Sequence, residues 1–183
     1  MTVTLVLGGA RSGKSRYAES LLRSHASVTY VAPGAVPDGS DPEWAERISC
    51  HQARRPATWS TLETVDLVAA IQDADAPLLI DCLSTWLARL IDDIDGWSDP
   101  RRASLHVSQH TVRLIDALIA ARADIVFVTN EVGLSVVPST SSGRFFRDEL
   151  GRLNAAISAV SDGVALVVAG RVLDLSACPV VAD

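Results

Sequence analysis

The residues whose types and spacing could do chemistry begin with Gly8, Gly13, Lys14 and Ser15, the fixed points of Gly-x-x-x-x-Gly-Lys-Ser. The whole stretch, Gly8, Gly9, Ala10, Arg11, Ser12, Gly13, Lys14 and Ser15, matches the phosphate-binding P-loop pattern. Glycines let the backbone curl without a Cβ clash, so that consecutive N–H groups converge on phosphate oxygens. A helix behind such a loop adds unpaired N–H groups and a partial positive end. Lys14 would reach the β- and γ-phosphates, and the Ser15 hydroxyl would ligate Mg2+. The alternative is a glycine-rich turn without a ligand. Strand, loop and helix arise here in the motif's order, which favours the phosphate site.

Asp81 is the second candidate. It stands at the end of the apolar run 78–82. An acid there could contact Mg2+ or the nucleotide, as the metal-associated acid of P-loop enzymes does. It could equally cap the next helix, and the two roles are compatible. His51 is the third. Trp44, Arg47, Ile48 and His51 follow i, i+3, i+4, i+7 and would share a helix face. Beside Trp44 and Ile48 alone, a histidine is packing. Arg47, Arg54 and Arg55 lie close to it in sequence, however. A neutral imidazole is a good nucleophile toward phosphorus, and nearby guanidiniums stabilise charge on a transferred phosphate.

Composition narrows the class. The chain has 183 residues, 48% of them apolar, enough for one domain with a substantial core. A net charge of −6 argues against nucleic-acid binding by bulk electrostatics. No apolar run reaches membrane-spanning length, and the first residues enter a strand rather than a secretory signal. Cys50, Cys82 and Cys178 are isolated, with neither zinc spacing nor a disulfide framework, which fits a cytoplasmic protein. Of the 16 basic residues, Lys14 is the one lysine. The guanine-reading Asn-Lys-x-Asp of regulatory GTPases therefore cannot occur. Its nearest counterpart, Thr129-Asn130-Glu131-Val132, lacks both the Lys and the Asp. Arg144, Arg147 and Arg152 could form a kinase lid or simply a solvated helix face.

The elements that must position these groups alternate. Strands are expected at 3–7, 28–32, 78–82, 125–129, 164–169 and 172–175. Helices are expected at 14–24, from Asp41-Pro42 to the break at Pro56, over about 63–72, from Leu83 through Ile91, over about 101–122, and after a polar loop at 139–142. The order implies a mainly parallel sheet covered on both faces, with an antiparallel edge if Gly170 turns the last two strands into a hairpin. The expected fold is a single P-loop NTPase-like (RecA-like) α/β domain over 1–183.

Three sequence blocks together are more specific. They are the P-loop; Arg47-Ile48-x-x-His51-x-x-x-Arg55-Pro56-x-x-Trp59-x-Thr61-x-Glu63; and Thr129-Asn130-Glu131-Val132-Gly133 with Val137-Pro138. Arg144-x-Phe146-Arg147-Asp148 and Gly151-Arg152-x-Asn154 follow. In this order the chain resembles the bifunctional adenosylcobinamide kinase/adenosylcobinamide-phosphate guanylyltransferase family of cobalamin synthesis, nearly end to end. The resemblance implies phosphorylation of adenosylcobinamide with ATP or GTP, then transfer of GMP from GTP through a GMP–histidine intermediate, which maps onto His51. It implies a nucleotide site of residues 8–15 with Pro33, Gly34, Ala35, Gln52, Ala53, Arg54, Arg55, Glu63 and Asp81. It implies Mg2+ on Ser15 and Asp81, a corrinoid substrate, and a homotrimer, for which Trp86 and Trp97 are candidate apolar surface, although core packing explains Trp86 as well. From the P-loop alone, a single-activity kinase or a non-catalytic nucleotide-binding module would remain open.

Overall fold

The computed structural model describes residues 1–34 and 42–181, apart from the side chains at 44, 45, 47, 50 and 51. The expected cap Asp41 and the expected nucleotide contact Ala35 lie outside the described residues, as does the His51 side chain.

One seven-stranded sheet organises the molecule. Its strands are β1 (Val3–Gly8), β2 (Thr29–Ala32), β3 (Ser60–Glu63), β4 (Leu78–Asp81), β5 (Ile125–Asn130), β6 (Gly163–Val168) and β7 (Arg171–Asp174). They lie in the order β3-β2-β4-β5-β1-β6-β7. The pairs from β3 to β6 are parallel, and β7 closes antiparallel on β6. Ala169 and Gly170 both take positive φ, 50° and 73°, as a two-residue hairpin turn of matching twist requires. The helices are α1 (Lys14–Leu21), α2 (Pro42–Arg54), α3 (Leu67–Gln72), α4 (Leu83–Asp92), α5 (Pro100–Ala120) and α6 (Ser141–Ala159).

The core has two layers because successive strand residues point to opposite faces. Leu5, Ile80 and Phe127 face α3 to α6, where Trp86, Leu87, Leu114 and Leu153 meet them. Val6, Leu79, Val126 and Val128 face α1, against Ala18 and Leu22. Both faces are therefore dry, and β1, β4 and β5 read as mainly apolar runs. The helix after β1 crosses to one face, whereas those after β4 and β5 cross to the other. The crevice at the carboxyl ends of β1 and β5 is thus a topological switch point, the place where open α/β sheets bind ligands.

Two expectations need correction. Residues 63–72 are not one helix. Ser60–Glu63 is the edge strand β3, and α3 begins only at Leu67 behind Asp66, whose carboxylate accepts from the Ala69 N–H at 3.0 Å. All four β3 residues are exposed, so no buried alternation marks the strand. Its pairing with β2 alone defines it. The polar loop also ends early: Thr140 accepts from the Gly143 N–H and caps α6, which takes in Ser141 and Ser142.

Candidate functional site

The loop after β1 is shaped by crowding and by left-handed backbone. A Cβ on Gly8 would lie 2.5 Å from Ser12 Oγ and 2.7 Å from the Val167 carbonyl oxygen. Arg11 and Gly13 take φ of 56° and 99°, and Gly13 caps α1 without a side chain. Behind the loop, the turn of the β6–β7 hairpin supports it through Gly170 N–H to the Ser12 carbonyl, 3.0 Å. Gly9, Ala10, Arg11 and Gly13 remain exposed, and Ser15 is half-buried at the first turn of α1. Lys14 is only 6% exposed; its Nζ donates to the Gly9 carbonyl at 3.2 Å, so the ammonium lies across the loop.

Asp81 ends β4, half-buried, and its peptide to Cys82 is cis. Two residues beyond Leu79, it shares the α1 face of the sheet. Of its two sequence roles, the helix cap is not the one taken. Cys82 caps α4, with Thr85 completing the reciprocal pair. Tyr30 of β2 sits in register with Leu79 and is buried. Asp81 follows two residues on from Leu79, on the same face of the neighbouring strand. Burial first, and then the Asp81 charge, pushes the Tyr30 phenol well above its ordinary value, so it stays protonated. The Arg55 guanidinium covers the Tyr30 ring, 3.7 Å from its centroid, and donates to Thr61 Oγ1 of β3 at 3.0 Å. One residue earlier, Arg54 pairs at 2.9 Å with Glu19, a buried carboxylate of α1. The carboxyl end of α2 is thereby fixed to the P-loop helix on one side and to β2 and β3 on the other. His51 lies one turn before this anchor in α2.

The remaining expected residues are spread along the same edge of the sheet. Pro33, buried, and Gly34, half-buried, follow β2. Gln52 and Ala53 are exposed on the last turn of α2, and Glu63 is exposed at the end of β3, paired with Ala32. With strands spaced by about 4.8 Å, β4 lies about 10 Å from β1 and β3 about 19 Å. Asp81 is therefore within side-chain reach of the loop at 8–15. Glu63, on the outermost strand, is not.

A buried polar network that single residues did not announce joins the late sequence blocks. Thr129 Oγ1 donates to Asn154 Oδ1 at 2.7 Å, and Asn154 Nδ2 donates to the Asn130 carbonyl at 3.1 Å. Asn130 Nδ2 donates to Ser84 Oγ at 2.8 Å. The Glu131 N–H then reaches the Gly8 carbonyl at 3.2 Å, so the end of β5 is locked to the start of the loop. Tyr30 and Glu19 also went unnoticed in the sequence. The usable signal was a phenol inside a β-branched strand, which needs a partner once buried. The arginines of α6 are engaged locally. Arg144 donates to the Pro138 and Ser139 carbonyls, Arg147 pairs with Asp148, and Arg152 pairs with buried Glu149.

Known proteins resemble this chain along most of its length. A family model described as cobinamide kinase / cobinamide phosphate guanyltransferase matches residues 4–175. The bifunctional adenosylcobalamin biosynthesis protein CobU of Escherichia coli K12 is 38% identical over 91% of this chain and 95% of its own. CobU of Salmonella typhimurium is 39% identical over the same shares. The bifunctional adenosylcobalamin biosynthesis protein CobP of Pseudomonas aeruginosa is 40% identical over 96% of this chain and 98% of its own. A solved structure, the P4 protein from bacteriophage phi6 in complex with ADP, aligns at TM-score 0.44 and 16% identity, covering 94% of this chain and 54% of that one, too distant to bear on the site. With a family model matched almost end to end and relatives near 40% identity, the chain belongs to the cobinamide kinase / cobinamide phosphate guanyltransferase family.

Proposed function

We propose that this chain is a bifunctional enzyme of cobalamin biosynthesis that carries out two transfers on a corrinoid. A nucleotide γ-phosphate, from ATP or GTP, moves to the hydroxyl of adenosylcobinamide. GMP from GTP then moves to the resulting phosphate, giving adenosylcobinamide-GDP. In the second reaction an imidazole nitrogen of His51 attacks the α-phosphorus, the bond to the β-phosphate oxygen breaks, and pyrophosphate leaves. An oxygen of the corrinoid phosphate next attacks the same phosphorus and releases the imidazole. One difficult displacement thus becomes two easier ones.

Residues 8–15 would hold the triphosphate through backbone N–H groups, with Lys14 drawing the γ-phosphate into line for the first transfer. Pro33, Gly34, Ala35, Gln52, Ala53, Arg54, Arg55 and Glu63 would complete the guanine nucleotide site. The Ser15 hydroxyl and the Asp81 carboxylate are hard oxygen donors, the kind Mg2+ takes alongside substrate phosphates and water. Among the described residues no group of three His, Cys, Asp or Glu forms an all-protein cage, which suits a metal that arrives with the nucleotide. When bound, Mg2+ supplies charge neutralisation on the phosphates. The isolated cysteines suit a cytoplasmic enzyme, and no described helix is long and apolar enough to cross a membrane. A homotrimer is the assembly that the family resemblance implies.

The supporting observation is the double anchorage of the carboxyl end of α2, Arg54 on Glu19 of α1 and Arg55 on Tyr30 beside Asp81. It ties the end of the helix that bears His51 to α1, the helix that follows the phosphate loop. Intact mass after incubation with GTP and Mg2+ tests the assignment. Wild type should carry one GMP, stable to alkali and lost in acid, and His51→Ala should carry none. Stoichiometric adduct on His51→Ala overturns the role of His51.

A further inference from the structure

Two histidines of α5 have no part in either transfer. His106 and His110 stand four residues apart, so they share one face of the helix, one turn from each other. Ala103, Val107, Leu114 and Ala117 are buried and fix the rotation of α5 against the sheet, and His110 falls in their spacing. Both histidines are half-buried. Their ring centroids lie 4.5 Å apart, with the planes tilted by 59°. That separation is what a shared ion requires. With metal–nitrogen bonds of about 2.0–2.1 Å each ring centroid stands about 3.2 Å from the metal, and two nitrogens at about 90° put the centroids about 4.5 Å apart.

We propose that His106 and His110 form a two-imidazole chelate for a divalent transition-metal ion such as Zn2+, Ni2+ or Cu2+, separate from the Mg2+ that would accompany the nucleotide. The chelate does not depend on the two-transfer function. Imidazole suits these ions, whereas Mg2+ takes carboxylate, water and phosphate oxygens, so the two places sort cations by ligand chemistry. They also lie apart: α5 packs on the face of the sheet opposite α1, the helix behind the phosphate loop. Ligation needs neutral imidazole. Burial first, and then the positive charges of His106 and Arg113, hold His110 below its ordinary value, while Asp66 and Asp93 pull the other way. His110 is therefore unprotonated at neutral pH. Asp66, the cap of α3, and Asp93, the cap at the end of α4, are exposed and near enough to act on His110, and their negative charge favours a dication there. Among the described residues no set of three His, Cys, Asp or Glu forms, so water fills the remaining positions and the ion stays exchangeable.

Calorimetric titration of the full-length protein with Ni2+, at neutral pH and in saturating Mg2+, tests the chelate. The wild type should bind one Ni2+ per chain. His106→Gln and His110→Gln should each weaken that binding by more than about 10-fold, since even losing the outer hydrogen-bond partner of a metal ligand costs about 10- to 100-fold. His25→Gln, a substitution just beyond α1, should leave it within about twofold. Electron paramagnetic resonance of the Cu2+-loaded protein should show two coordinated imidazole nitrogens in the wild type and fewer in either α5 variant. Circular dichroism of each variant checks that the helices are intact. Wild-type Ni2+ affinity in a folded His106→Gln or His110→Gln protein overturns the proposal. So does a wild-type Cu2+ spectrum with a single nitrogen, or a wild type that takes up no Ni2+ while Mg2+ is present.

Discussion

At the scale of the residue, Lys14 is where composition, backbone and chemistry meet. It is the one lysine among 16 basic residues, and it is buried with its ammonium on the Gly9 carbonyl. A compact ammonium with three rotatable donors can exchange that carbonyl for phosphate oxygens when a nucleotide enters. A planar guanidinium on a longer stem cannot turn in the same space between Gly9 and Gly13. Lys14→Ala should lower both γ-phosphate and GMP transfer by about 10²-fold or more, the cost of losing one donor aimed at developing charge. Lys14→Arg should restore neither. Both rates are read separately with γ- and α-labelled nucleotide; GMP transfer at the wild-type rate in Lys14→Ala would mean that the two reactions do not share a triphosphate site. This residue was legible in the sequence because a P-loop is local: its glycines, lysine and serine act within eight consecutive positions. Tyr30 and Glu19 were not legible, because their partners Arg55 and Arg54 are set by the seating of a helix, which no local pattern records.

Among the elements, those with two buried faces were legible, and so was the exposed hairpin strand β7, but β3 was not. The mainly apolar runs of β1, β4 and β5 and the apolar stripe of α4 announce themselves, since burial leaves few polar residues among them. β3 is exposed throughout and its sequence Ser-Thr-Leu-Glu has no apolar alternation; only β2 recruits it. Yet this plain strand supplies Thr61, which helps to seat Arg55. The seating of α2 should accordingly be measurable as stability. Arg54 is about one-third exposed while Glu19 is buried. Removing the guanidinium leaves Glu19 with its desolvation cost and without the Arg54 ion pair. A fully buried broken pair costs about 3–5 kcal/mol and an exposed one less than about 1 kcal/mol, so the half-exposed arginine puts Arg54→Ala near 1–2 kcal/mol. Urea unfolding should show it as a lower midpoint at unchanged slope. Glu19→Gln with Arg54→Ala should recover part of the loss, because the buried charge has gone. A double variant as unstable as the sum of the two single variants would mean that the pair does not anchor the helix.

Over the whole molecule, chain order and spatial order part company. Alternating strands and helices imply a parallel sheet, but the order β3-β2-β4-β5-β1-β6-β7 depends on which crossovers run to which face, and that is decided by packing of complete layers. The surface offers a similar lesson. Trp86 and Trp97 were the apolar residues considered for subunit contact; Trp86 is 1% exposed with its indole N–H on the Val65 carbonyl, and Trp97 lies half-buried against Phe146. The exposed apolar groups are elsewhere. Leu134 and Val136 are 86% and 91% exposed, with Val137 beside them, in the segment that leads from β5 to α6. Contiguous apolar side chains left in water at the mouth of a ligand crevice mark an interaction surface more often than isolated ones do. If the homotrimer forms, burying such groups is what would favour it, at about 25 cal/mol per Å2 of apolar area removed from water. Light scattering coupled to size exclusion should therefore give three times the chain mass of 19.4 kDa for the wild type. Val136→Glu should shift the population toward smaller species, since each interface would have to desolvate a carboxylate. The helices and sheet contribute nothing to this segment's exposure, so the circular dichroism of the variant should match that of the wild type. A trimer of undiminished stability to dilution in Val136→Glu would place the subunit contact on another face; a wild-type monomer at every concentration would remove the trimer and leave the exposed segment to the bulky corrinoid, whose apolar edges need the same kind of surface.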